Sequence, residues 1–393
     1  MHPHLAQRQE KSLLDDTVTC RKLELNKLRN EAQDHTALID TAAAAFNYKD
    51  CRDVYWNPER KSLLYGTPVW DQASEAQRLV LNHLYWVAYY AQIISAEIAT
   101  IYFNQIAAAG LYTLEDFRIL CETLDLETRQ ERAHINAFKC VGEEVEAELL
   151  GERLFTYPMR SAFEETMVFA DANRLSKYWR KLQLQAYTLL SSSNAFLGSQ
   201  YLLIRGLRTL NGKLIQHDLS RYYSSLPDPE AAPIPAQISH YHFLDESFHF
   251  NTSKITALDV ARSLRPPTSF ERWVVNRGVA GCQRDHFHFS VAVNGIFWYD
   301  PALFKPLFKL FCSPLFGMEK GEAKEMLASC FGQETEGLHE SFKIHRTALS
   351  SYKAFVEPLS FLTAANRDMS LMSGNSISAY LQRNRQALAR LAA

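Results

Sequence analysis

Two stretches of this 393-residue chain carry acids and imidazoles at helical spacing. Glu131-Arg-Ala-His134 sets a carboxylate and an imidazole three residues apart, on one face of a helix, where both can hold one cation. Alone, such a tetrapeptide is commonplace. His242-Phe-Leu-Asp-Glu246-Ser-Phe-His249 is richer: His242, Glu246 and His249 stand at i, i+4 and i+7, a single stripe across two turns. The residues between are mainly apolar, so the stripe is expected to point inward, and buried ionisable groups need partners or a metal. Glu97 is the third piece. It is the only charged residue between Arg78 and Glu115, on a face with Ile93, Ile94 and Ile101, with Tyr90 and Asn104 a turn further out.

Three separate helices therefore each present an acid expected to be buried, and two of them add a histidine. A glutamate from some helices and Glu-x-x-His from others is the arrangement by which helical bundles hold two metal ions. Oxygen and imidazole donors without thiolate suit iron, with manganese as the alternative, rather than structural zinc. The competing reading is structural: His134 and His249 as satisfied core histidines, and Glu97 paired with Arg174, Arg180 or Arg205. Other candidates are set aside. His286 and His288 alternate as on a strand and read as packing residues. His339 and His345 read as solvated, as does the acidic run Glu143, Glu144, Glu146 and Glu148 near a helix end. Glu127, one turn before Glu131, reads as exposed.

The elements that must position these groups are helical. Ser74-Glu75 caps a first long helix expected to end at Gly110. Thr113, three residues before Asp116, opens a second that stops at Gly151. A third helical region covers 160–207, ending at Gly206, and 208–235 reads as a connection with a Pro-rich end. A fourth runs from Pro235 or Ala236 to about Leu264. Shorter helices follow at 268–279, 299–312, 319–331 and 334–352, with a helical tail from 375. Residues 1–50 read as an exposed helix with an alanine-rich end, and 51–74 as irregular. The only ambiguous pieces are 274–282 and 289–299. The expected fold is all-α: an N-terminal extension (1–74), a four-helix bundle (75–265) and a C-terminal helical extension packed on it (266–393).

Composition narrows the function classes. Hydrophobic residues are 47% and charged residues 22%, which excludes a disordered chain. A net charge of −2 argues against a nucleic-acid partner. Seven scattered cysteines without a CxxC pair argue against a disulfide framework and a thiolate zinc site, and imply reduced thiols in the cytoplasm. Tyr85–Phe103 is long enough to span a membrane, but Gln92 and Glu97 near its middle favour a buried helix.

The order Glu97, Glu131-x-x-His134, His242-x-x-x-Glu246-x-x-His249 resembles the p-aminobenzoate N-oxygenase-like di-iron proteins, which have a ferritin-like bundle and an additional histidine one turn before the last Glu-x-x-His. The resemblance covers about 75–265. It implies two iron ions bridged by Glu131 and Glu246, with Glu97 and His134 completing one and His242 and His249 holding the other. The family pattern also asks for a glutamate on the third long helix, yet no Asp or Glu occurs from Ala172 to His217. The position facing the metals is expected in Ser191-Ser-Ser-Asn194, near Ser193. A missing carboxylate beside a redox metal leaves room for a halide, and the resemblance is closest to the dimetal-carboxylate halogenase branch. It implies dioxygen and halide as co-substrates and a fatty-acyl or other small-molecule substrate, one option being its presentation by an acyl carrier protein. Ser193 and Asn194 would bond the halide, with Tyr90 and Asn104 beside the metals. Electrons must come from an external donor, and a homodimer is one option for assembly. The alternatives are oxygenation of an aryl amine or another di-iron hydroxylation, and a ferritin-like protein that binds metal without turnover.

Overall fold

In the computed structural model the described residues are 16–112, 117–156, 174–228, 231–295 and 303–392. Among them there is no strand, and the protein is all-α. Helices α1 (Thr17–Ala32), α2 (Thr36–Ala44), α3 (Tyr48–Cys51) and α4 (Pro68–Gln72) precede the bundle. Its long members are α5 (Glu75–Leu111), α6 (Arg118–Leu150), α7 (Arg174–Ser192), α8 (Ala195–Ser225) and α9 (Ile234–Ile255). A π-helical turn, Thr256–Val260, leads into α10 (Ala261–Ser263). The remainder comprises α11 (Ser269–Gly295), α12 (Phe304–Cys312), α13 (Lys320–Phe331), α14 (Glu336–Val356), α15 (Ala364–Arg367), α16 (Ser370–Ser373) and α17 (Ile377–Ala392).

Local chemistry sets the ends of these helices. Ser74 opens α5 with a reciprocal cap: its hydroxyl accepts from the Gln77 amide, and the Gln77 side chain accepts from the Ser74 amide. α6 ends at Gly151, which takes a left-handed φ of 65°. The expected start at Thr113 and Asp116 lies outside the described residues, as do 160–173 and 296–302. α5 pairs with α6 and α8 with α9. α5 also packs on α8, and α6 on α9, giving a ferritin-like bundle.

The third long helix differs from expectation. It breaks at Ser193-Asn194 because those side chains compete with the helix for its own backbone. The Ser192 and Ser193 hydroxyls donate to the Leu189 carbonyl, and the extended Asn194 accepts the Leu197 amide as the cap of α8. α8 then continues through Gly206 to Ser225, so most of the expected connection is helix. Gly206 does not stop it: a Cβ there would sit 3.0 Å from the Phe355 ring, so glycine serves close packing. Gly110 likewise lies inside α5, where a Cβ would meet the Ser191 carbonyl oxygen at 2.2 Å. α11 extends through 274–282 and His286-Phe-His288, so these are helical rather than extended; the side chains of His286 and His288 lie outside the described set.

Three residues expected at the surface are buried. Glu146 is fully enclosed, accepting the Leu154, Phe155 and Thr156 amides and the Thr156 hydroxyl, so it closes the loop after α6. Glu127 pairs with Arg205. His345 is buried and stacked on Phe342, unlike the exposed His339. One apolar core joins Trp56 and Trp70 before the bundle, Trp86 and Phe138 within it, and Phe304 and Tyr380 after it.

Gly110→Ala is expected to lower the thermal midpoint, because overpacking costs ~1–3 kcal/mol and outweighs the gain of ~1 kcal/mol from a better helix former. Gly281→Ala in α11, where a Cβ meets nothing within 4 Å, should raise it. Burial holds the His345 pKa down to about 4, below the unfolded value, so the unfolded chain binds the extra proton first. Stability is full above pH ~6.5 and falls towards pH 4, by at most about 3 kcal/mol from this residue. Urea midpoints measured at pH 7 and 5 should converge in His345→Gln.

Candidate metal centre

The six residues singled out from sequence come together. Glu97 descends from α5, Glu131 and His134 from α6, and His242, Glu246 and His249 from α9. The His242 Nε2 lies 3.1 Å from Glu97 Oε1 and 3.9 Å from Glu246 Oε1. The His134 Nδ1 lies 3.4 Å from Glu131 and 3.8 Å from Glu97. The His249 Nδ1 lies 2.9 Å from Glu246 and 3.3 Å from Glu131. Two overlapping groups can each surround an ion: Glu97, His134, His242 and Glu246, and Glu131, Glu246 and His249. Glu246 belongs to both. All are buried except Glu246, which is partly so.

So many ionisable groups in a dry interior divide their charge unequally. Burial, reinforced by Glu131 and Glu246, drives the Glu97 pKa well above the carboxylate range. Burial also works against ionised Glu131, but His249 and His134 outweigh it and hold that pKa down to about 2. Burial disfavours charge on His134, yet Asp245 and Glu131 lift its pKa to about 9. The His249 pKa is also raised, against burial, by Glu246 and Glu131. His242 goes down to about 3 through burial and the neighbouring His134. Glu97 Oε2, Glu131 Oε2 and His134 Nδ1 have no hydrogen-bond partner. Buried polar atoms rarely stay unsatisfied, and orphaned oxygen and nitrogen donors on converging side chains fit a metal ion. This is a buried Glu/His cluster able to hold one.

A family model described as "Acyl halogenase CylC-like" matches residues 18–392. The chain belongs to the CylC-like acyl halogenase family. No curated protein and no solved structure matches it. Among the described residues no helix is long and apolar enough to cross a membrane, and within the Tyr85–Phe103 stretch of α5 the residues from Tyr85 to Ser95, and Glu97, are buried.

Around the cluster of this CylC-like acyl halogenase family member stand residues that sequence reasoning passed over. His134 turns its Nε2 to Asp245 at 3.2 Å, and Asp245 also accepts from His35 Nδ1 at 2.8 Å. The His249 Nε2 meets Gln130 Oε1 at 2.9 Å, and Gln130 exchanges two hydrogen bonds with Asn30. An acceptor behind the ring fixes its tautomer and aims the other nitrogen at the site. Asp245 sits inside the His242–His249 motif, and its signal was an acid in an otherwise apolar run. Residues of α1 and α2, expected to be exposed, thus carry Asn26, Asn30 and His35 inward.

Below the cluster, Arg205 is the lone guanidinium in a buried network. It donates to Glu127 at 2.6 Å, Asn104 at 3.0 Å, Ser253 at 2.8 Å and the His249 carbonyl at 2.9 Å. Glu97 therefore does not pair with Arg205, and Asn104 serves this network rather than the cluster. Tyr90 is buried with its ring 5.7 Å from that of His242. Ser193 is not brought to the cluster: it is exposed at the end of α7, its hydroxyl bonded to carbonyls of α7. Asn194 caps α8 and donates to Glu271 at 2.7 Å. The helix break displaced both. The Arg205 guanidinium reaches the His249 carbonyl and the His217 ring lies 5.7 Å from Phe243, so the α8 turns between are level with Glu246. On the face shared by Arg205 and Gln216 those turns carry Arg208 and Gly212, and no carboxylate.

Truncating Arg205 to Met is expected to destabilise the fold by about 3–5 kcal/mol, because it strands a buried carboxylate. Adding Glu127→Leu should recover much of that loss in chemical denaturation, whereas a solvated pair would show no such rescue.

Proposed function

We propose that this halogenase-type enzyme uses two iron ions, held by Glu97, Glu131, His134, His242, Glu246 and His249, to halogenate an unactivated C–H bond of an acyl chain. The observation that carries the reading is the six-residue cluster with no carboxylate on α8 at the level of Glu246. Bound there, iron supplies dioxygen reduction, hydrogen abstraction from carbon and delivery of halide to the carbon radical. The chain's own residues supply the rest. Asp245 and Gln130 keep His134 and His249 oriented through their Nε2 atoms. The aromatic wall of Tyr90, Trp86 and Phe138 excludes water on the His242 side.

We place the halide against α8 at Gly212 rather than at Ser193. Glycine inside a helix costs about 1 kcal/mol against alanine, so it calls for a reason. A Cβ at Gly212 would make ordinary contacts, 3.7 Å from Gln216 and 4.0 Å from the Tyr89 hydroxyl oxygen, so alanine would fit and packing does not demand the glycine. The Gln216 Oε1 and the Tyr89 hydroxyl both lack a hydrogen-bond partner. The Tyr89 hydroxyl is a donor suited to an anion. A cavity of ≈ 380 Å³ lined by Arg60, Lys61, Leu214, Lys343 and Tyr85 offers an acyl substrate an approach, with the stacked Tyr89 ring, 6.2 Å from that of Tyr85, next along α5.

Metal analysis of the purified chain should find two ions per chain, with loss in Glu131→Ala. Gly212→Glu is expected to abolish carbon–chlorine bond formation from an acyl thioester while keeping the metal. Ser193→Glu, at the surface, should leave it within about twofold, since exposed substitutions rarely exceed ~0.5 kcal/mol. Unchanged chlorination in Gly212→Glu, or loss in Ser193→Glu, refutes this placement; oxygenated product alone from the unaltered chain refutes halogenation.

A further inference from the structure

A file of aromatic rings leads away from the cluster. Tyr90, beside His242, lies 4.4 Å from Trp86 between ring centroids. Trp86 lies 6.3 Å from Trp56, and Trp56 lies 5.8 Å from Tyr48. All four are buried, and Arg52, Asp53 and Val54, a turn beyond Tyr48 in the chain, are exposed. Shape alone does not require this: a bundle core is filled as well by aliphatic residues. Each indole also has its N–H engaged, Trp86 with Ser239 at 2.9 Å and the Pro235 carbonyl at 3.0 Å, and Trp56 with the Cys51 carbonyl at 2.9 Å.

The far end has a proton acceptor. The His83 Nε2 lies 2.8 Å from the Val54 carbonyl, which can only accept, so that nitrogen carries the proton. The bare Nδ1 then accepts from the Tyr48 hydroxyl at 3.1 Å. Burial keeps this imidazole neutral, with its pKa down to about 4. The same ring stacks on Trp56 at 4.2 Å. Tyrosine loses an electron readily only when its proton has somewhere to go, and Tyr48 is built with that acceptor in place.

We propose that Trp86, Trp56 and Tyr48, reached from the cluster across the Tyr90 ring, form an escape route for oxidising equivalents, ending in a tyrosyl radical at Tyr48 with its proton on His83. The proposal rests on the dioxygen chemistry assigned to the cluster. When no substrate C–H bond is present, a one-electron oxidant generated there from dioxygen takes one electron from Trp86 across the Tyr90 ring, which stays reduced because its hydroxyl has no acceptor for its proton. Trp86 regains an electron from Trp56, and Trp56 from Tyr48, so both indoles return to their starting state. The net change is one electron gained by the oxidant and one lost by Tyr48, whose hydroxyl proton moves to the His83 Nδ1. An external thiol or ascorbate then returns one hydrogen atom equivalent to the pair. The fold thereby spares the cluster's own ligands from oxidation.

The test is freeze-quench electron paramagnetic resonance of the ferrous-loaded chain mixed with dioxygen in the absence of substrate, with dioxygen uptake followed in the same samples. A tyrosyl signal is expected, narrowed when the chain is grown on ring-deuterated tyrosine. Tyr48→Phe and His83→Phe should each lose it in favour of a tryptophan signal, and Trp56→Phe should also lose it. Circular dichroism and thermal midpoints confirm that the variants fold. Uptake without an aromatic radical overturns the relay and spares the function. Without uptake the functional reading fails, and hydrogen peroxide added to the ferrous-loaded chain then supplies the oxidant; no Tyr48 radical there overturns the relay as well. A tyrosyl signal that persists in Tyr48→Phe also overturns it.

Discussion

Three carboxylates within reach of one another, two of them buried and the third partly so, must be neutralised. Everything around Glu97, Glu131 and Glu246 answers that constraint. With protons alone, the cluster keeps Glu97 neutral and charges His134 and His249. A cation does the same more completely, and its binding must displace those protons, which couples occupancy to pH and to folding. Asp245 and the Glu127–Arg205 pair extend the arrangement outward, so that each buried charge meets an opposite one. The bundle is a device for holding acids where they do not belong.

The stripe of acid and imidazoles was legible because helical spacing is local. His242, Glu246 and His249 share a face whatever surrounds them, and so do Glu131 and His134. Their inward direction followed from apolar neighbours, and that of Glu97 from the absence of other charges nearby. The ends of α5 and α6 were legible for the same reason, since Ser74 and Gly151 act on adjacent backbone. The position on α8 was not. Its register depends on where the helix breaks, and Ser192, Ser193 and Asn194 decide that through bonds to carbonyls and amides only a few atoms away. Reading through the break as one continuous helix carried the search for the missing carboxylate away from the α8 turns level with Glu246.

Burial of polar groups by distant segments was equally hidden. Glu146, Glu127 and His345 each look solvated beside their charged sequence neighbours, and each is enclosed by something far along the chain or by a loop folding back. Glycines misled in the opposite sense. Gly206 was read as a stop but sits inside α8 for the approach of the Phe355 ring, while Gly110 stands one residue before the end of α5 and also admits the Ser191 carbonyl. Periodicity predicts which face is apolar; it does not say which face another helix will touch.

The bond from His35 to Asp245 ties the turn between α1 and α2 to the residue that orients His134. The leading segment is thus a keystone and not a decoration. Stripping it away would leave the imidazole beneath free to swing, so a shortened version would keep all six residues of the cluster and lose the aim of one.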